Sequence, residues 1–155
     1  MKKQAARIVA VQTEPGLVAQ VELSDGRRLR LALAGLAARL AVFAPLEDPA
    51  EFATATPADF GWSLEWRCGA TLDVDRVIEL ALEQSGMAAN VAFRRWQDAH
   101  RLSLAQAASA IGLSRRTVSQ YRTGMRPVPR TVALACKGWE AEQADAPSNS
   151  RHPNH

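Results

Sequence analysis

The sequence predicts an α+β protein: a small antiparallel sheet with a closing helix, followed by an all-helical domain. Three observations carry this. Apolar residues alternate with period two early in the chain, the apolar period lengthens to that of a helix from Asp73 onward, and the charge changes sign between the halves. Residues 1–88 hold nine Lys/Arg against twelve Asp/Glu, a net −3, whereas residues 89–155 hold ten against four, a net +6. A length of 155 residues with 47% hydrophobic and 23% charged residues suffices for one domain or two small ones with a buried core. Such a chain is neither a large multidomain enzyme nor intrinsically disordered.

In the first half, residues 7–12 suit a strand. Leu17, Ala19, Val21 and Leu23 alternate, Ser24-Asp25-Gly26 supplies turn chemistry, and Leu29, Leu31 and Leu33 alternate again, which predicts a hairpin with one apolar face. The prolines of residues 45–53, with Leu46 and Phe52, suggest a short helical turn docked on the sheet. Trp62, Leu64 and Trp66 recur every second residue and predict a strand over 60–67. Asp73 is a good N-cap for a helix carrying Val74, Val77, Ile78 and Ala81, which Ser85 and Gly86 end. A junction then runs to about Asn90.

The second half is helical throughout. Residues 91–101 place Phe93, Trp96 and His100 on one face, and Ser103 with Gln106 has the form of a capping box for a helix to Ile111. Gly112 stops that helix, Ser114 caps another from Arg115 to about Thr123, and Gly124 ends it. Pro129 suits the first turn of a last helix with a stripe of Val132, Ala135, Cys136 and Trp139. Polar residues from Ala144 onward, including His152 and His155, read as a tail. The expected layout is an α+β domain over 1–88, an all-helical domain over 89–142 and a disordered tail over 143–155.

Between Arg94 and Lys137 nine basic residues face only Asp98, a balance suited to a polyanion. The stretch LAQAASAIGLSRRTVSQYRT, Leu104 to Thr123, has two short helices joined through Gly112, a small Ala108 at their crossing and Val118 to pin the second to the first. With Tyr121 and the closing turn at Gly124, residues 91–140 resemble the lambda-repressor-like (Xre/Cro-type) helix-turn-helix family. Leu104 departs from the glutamine that family often carries there. The resemblance implies double-stranded DNA as partner, with the helix from Arg115 in the major groove. Arg115 and Arg116 then occupy the main base-reading positions, Thr117, Ser119 and Gln120 touch base edges, and Ser114, Arg122, Arg126 and Arg130 contact phosphate.

The runs LSDGRRLRLAL, FAPLEDPAEF and WSLEW resemble a small bacterial α+β family of unknown biochemical function, often encoded near toxin-antitoxin cassettes; its signature here is Pro45, Leu46, Asp48, Pro49 and Phe52. Together the two resemblances cover about 130 residues and imply a transcriptional regulator. An antitoxin-like protein, whose first domain binds a toxin-like partner while the second autoregulates, is the alternative. The apolar segment Ala32 to Val42, broken only by Gly35 and Arg39, is the candidate subunit contact of a homodimer.

Catalysis and cofactors are not expected. His100 is the only histidine outside the tail, and Asp73, Asp75, Glu79 and Glu83 suit a helix start and a solvated stripe better than a metal site. Cys68 and Cys136 read as core thiols of a reducing compartment. The apolar stretch Ile8–Val11 is too short for a leader or a membrane span, so a cytoplasmic location is expected.

Overall fold

A computed structural model describes residues 6–145, and the chain divides into two compact units between Ser85 and Gly86. In the first unit, β1 (Ile8–Glu14), β2 (Val18–Leu23) and β3 (Arg28–Ala32) form an antiparallel sheet in the order β1-β2-β3. Val21 pairs with both Val11 and Leu29, and Ala19 with Leu31, so alternation puts one apolar face inward; Ala19, Val21, Leu23 and Leu31 are buried. The expected turn closes this hairpin: Gly26 takes φ +92° while the Asp25 carboxylate accepts the Arg27 amide at 3.1 Å. The free edge of β3 is finished by a side chain. Gln84 accepts the Ala32 N–H at 2.8 Å and donates to its carbonyl at 2.9 Å, standing in for a neighbouring strand.

After β3 come α1 (Ala34–Arg39), a 3₁₀ turn (Ala41–Glu47) and α2 (Pro49–Phe52), with Asp48 capping the Ala50 amide and Pro49 at the first helical position. Leu33, Leu36, Ala37 and Phe43 turn inward, which leaves Leu40 and Val42 as the exposed large apolar residues of the 32–42 segment, at 44% and 61%. A second antiparallel sheet follows, β4 (Thr56–Ala58), β5 (Ser63–Glu65) and β6 (Thr71–Asp73), which was not legible from periodicity because each strand has three residues. The strand expected over 60–67 contracts to β5. Asp59, Phe60 and Gly61 take φ of +53°, +59° and +91° before it, and a tight turn from Trp66 to Ala70 closes it. Cys68 sits on that turn and is exposed, contrary to the expected core thiol. Trp66 is buried, donates Nε1–H to the Phe52 carbonyl at 3.1 Å, and meets the Phe52 and Phe43 rings at 6.0 and 6.4 Å. Asp73 then caps α3 (Val74–Gln84) through the Arg76 amide at 2.8 Å.

The second unit is all-helical: α4 (Ala88–Ala99), α5 (Leu104–Ile111), α6 (Arg115–Thr123) and α7 (Arg130–Asp145). The junction is shorter than expected, because α4 starts two residues before Asn90, and α7 runs three residues into the stretch expected as tail. The remainder of that tail, including His152 and His155, lies outside the described residues. Phe93, Trp96, Ala107, Ala108, Val118, Tyr121, Val128, Val132 and Cys136 make one core. Among the described residues no helix is long and apolar enough to cross a membrane.

Gly61 is required twice over. A Cβ there would stand 2.6 Å from the Ile8 carbonyl oxygen, on backbone whose φ of +91° already disfavours side chains. Gly61→Ala should therefore lower stability by about 1–3 kcal/mol, visible as a reduced urea midpoint of the tryptophan fluorescence transition.

Candidate nucleic-acid interface

Local sequence sets each end of the α5–α6 pair. Ser103 Oγ accepts the Gln106 amide at 3.1 Å and Gln106 Oε1 accepts the Ser103 amide at 2.9 Å, completing the capping box. Gly112 takes φ +76° as the C-cap of α5; the space around it is open, so conformation rather than crowding demands glycine. The Leu113 amide then returns to the Ala108 carbonyl at 2.8 Å, and α6 starts at once. Fully buried Ala107 and Val118 lie in the same core as Ala108, where small side chains permit close approach of α5 and α6.

The expected contact residues fall into three settings. Arg115 and Arg116 are exposed in the first turn of α6, and neither takes part in an ion pair among the described residues. Thr117, Ser119 and Gln120 are half-buried on the same helix. Ser114 is occupied as N-cap: its Oγ accepts the Thr117 amide at 3.0 Å and donates to Thr117 Oγ1 at 2.9 Å. Its hydroxyl is thus turned to the helix, and the amides of Arg115 and Arg116 are the groups left without intrahelical acceptors at this end.

Arg126 and Arg130 are exposed beyond α6. Arg126 is brought back to the helix: its amide donates to the Gln120 carbonyl and its Nη1 to Gln120 Oε1, both at 3.3 Å. Arg122, expected as a phosphate contact, is engaged within the chain. It is half-buried, and its Nη1 lies 3.1 Å from both Gln97 Oε1 and Asp98 Oδ1, because the lone acid of this basic stretch sits opposite it on α4. That leaves Arg115, Arg116, Arg126 and Arg130 as the outward-facing cations of the expected set.

Sequence reasoning missed Asn90, Arg94 and Gln97, which are buried polar residues gripping α6 and the segment after it. Their spacing of four and three beside Phe93 and Trp96 was the available signal, but in one sequence it looks like a solvated face. His100 ends α4 with Nε2 2.9 Å from Glu140 Oε2 and its ring 4.9 Å from that of Trp139. Among the described residues no three His, Cys, Asp or Glu side chains gather as a metal site, and the Asp73 carboxylate serves as a helix cap.

No protein-family profile matches the chain, and no curated protein sequence matches it. A crystal structure from Nitrosomonas europaea, of a protein named as a candidate DNA-binding protein, is similar at 34% identity, over 89% of this chain and 88% of that one, with a TM-score of 0.66.

Burial, and secondarily the Glu140 charge, push the Cys136 thiol up to about 11. Ellman's reagent should therefore titrate the exposed Cys68 in the native protein, and Cys136 only after denaturation. A folded-state value raised above the unfolded one means stability is fully present below the unfolded pKa, so stability should fall as pH rises through the window from 9.0 to about 11. A Cys136→Ala variant should lack that alkaline loss.

Proposed function

Since this chain belongs to the same family as the Nitrosomonas europaea protein, we propose that it is a sequence-specific DNA-binding transcriptional regulator, acting by binding rather than catalysis. In this reading α5 and α6 are the helix-turn-helix and α6 enters the major groove. The observation that carries it is α6 itself, capped at Ser114, anchored by Val118 and Tyr121, and presenting Arg115 and Arg116 to solvent. Arginine offers a planar fork that bonds bidentately to guanine O6 and N7, so these two read bases, with Thr117, Ser119 and Gln120 beside them. Arg126 and Arg130 neutralise phosphate, as do the open amides at the start of α6. Arg122 joins them only by leaving Asp98, which a pair at this exposure permits.

The regulator acts as a homodimer, because one helix-turn-helix makes few contacts and operators usually present two half-sites about 34 Å apart. The first unit is the tether. Its net negative charge disfavours DNA, and exposed Leu40 and Val42 offer it an apolar contact.

Sites selected from a random DNA pool provide the test. Arg115→Ala or Arg116→Ala should weaken the selected site by about 1 to 3 kcal/mol and relax preference at one base pair, with circular dichroism unchanged. Arg126→Ala and Arg130→Ala should instead weaken specific and random DNA alike, each flattening the slope of log affinity against log salt by about 0.9. A folded Arg115/Arg116 double alanine variant that binds the selected site as tightly as the parent would remove α6 from the groove. For the tether, Leu40→Glu with Val42→Glu should shift sedimentation of the full chain from dimer to monomer; a parent that is monomeric at tens of micromolar ends the dimer reading.

A further inference from the structure

The buried polar side chains among the described residues all stand on α4: Asn90, Arg94 and Gln97, at 1%, 3% and 4% exposure. Spacings of four and three set them in one row along the helix. The row is turned to the C-terminal end of α6 and the segment after it, and Gln97 reaches the turn between α4 and α5 as well. Asn90 Nδ2 donates to the Tyr121 carbonyl at 2.9 Å and to the Arg126 carbonyl at 2.7 Å, while its Oδ1 accepts the Val128 amide at 3.0 Å. Arg94 Nη1 donates to the Arg122 carbonyl at 2.8 Å. Gln97 Nε2 donates to the Leu102 carbonyl at 3.0 Å, and its Oε1 accepts from Arg122 Nη1 at 3.1 Å. Tyr121 and Arg122 lie in the last turn of α6, whose carbonyls lack the usual i+4 amide donors; that of Tyr121 also accepts the Gly124 amide of the C-cap at 3.4 Å.

The apolar attachment of α6 is narrow, since Val118 and Tyr121 are its buried residues. Apolar contact is non-directional and leaves the helix some freedom to turn about its axis, whereas hydrogen bonds to backbone carbonyls hold angle as well as distance. We infer that the Asn90–Arg94–Gln97 row is a positioning device that fixes the rotation of α6 and the course of residues 124–128, and thereby determines which bases Arg115 and Arg116 select. This rests on the DNA-binding reading above. A bidentate arginine–guanine pair tolerates little angular error, while a phosphate contact tolerates more, so loss of the row reduces discrimination before it reduces general affinity. Being buried, Asn90 and Gln97 cannot touch DNA, and any effect of replacing them on base preference passes through α6.

The experiment measures fluorescence anisotropy of full-length protein on a duplex carrying the selected site and on a random duplex, for the parent, Asn90→Leu and Gln97→Met. Readings are taken well below each protein's melting temperature, with circular dichroism confirming the fold. The expected result is a loss of about ten-fold or more on the selected duplex with less than about two-fold change on the random one. A folded variant that keeps the parent's ratio of the two affinities overturns the inference, as does an equal loss on both duplexes. Should Asn90→Leu fail to fold, Gln97→Met decides alone, since it retains length and helix propensity while removing both hydrogen bonds. A parent that selects no site at all overturns the DNA-binding reading instead, a result visible before any variant is made.

Discussion

A nine-residue helix that keeps its leading arginines in solvent has little left with which to hold itself in place, and the second unit is arranged around that constraint. Val118 and Tyr121 are the buried residues of α6. Val118 shares the core with Ala107 and Ala108, whose small size allows α5 close to α6. Tyr121 stands edge-on to Phe93 at 5.4 Å; Phe93 tilts against Trp96 at 5.5 Å, and Trp96 meets Trp139 edge-on at 5.6 Å. One aromatic chain therefore ties α6 through α4 to α7. The side-chain cap at Ser114 and the left-handed cap at Gly124 bound α6, so its length is set locally and its seating by two side chains plus the polar row of α4.

Directional contacts carry a particular burden in such a design. Truncating one buried hydrogen-bonded group leaves its partner desolvated, which is more damaging than never having made the bond. Asn90 meets three backbone groups with one amide, so the segment after α6 has one solution rather than a family of near-equivalent ones. The same logic appears at β3 in the first unit, where Gln84 meets both polar groups of Ala32 and closes a strand edge.

How much was legible in the sequence depended on whether the information was local. The hairpin from Val18 to Ala32 was legible because alternation and Asp25-Gly26 point the same way, and the caps Asp73, Ser103, Ser114, Gly112 and Gly124 were legible because each acts within four residues. The second sheet was not, since a three-residue strand has no period to detect. Nor was the left-handed run at Asp59 and Phe60, where only Gly61 hints at positive φ and contact with the Ile8 backbone sets the path. Among the site residues, the start of α6 at Arg115 and Arg116 was legible from the Ser114 cap, whereas the engagement of Arg122 depends on Asp98 across a helix pair. That pairing, like the burial of Asn90, is a tertiary fact with no short-range signature.

The helix field divides the arginines of α6 into one that it favours and two that it opposes. The C-terminal end of a helix carries partial negative charge, and Arg122 is favoured there by the dipole and by Asp98. The N-terminal end carries partial positive charge, and the first turn of α6 holds Arg115 and Arg116 with no acid. Two cations at that end are unfavourable to the fold by a few tenths of a kcal/mol to about 1 kcal/mol each at low ionic strength. The folded chain alone gives them no compensating ion pair among the described residues. Positive side chains and open amides thus converge on a positive helix end whose counter-charge no ion pair among the described residues supplies, and the proposed binding to a polyanion would supply it.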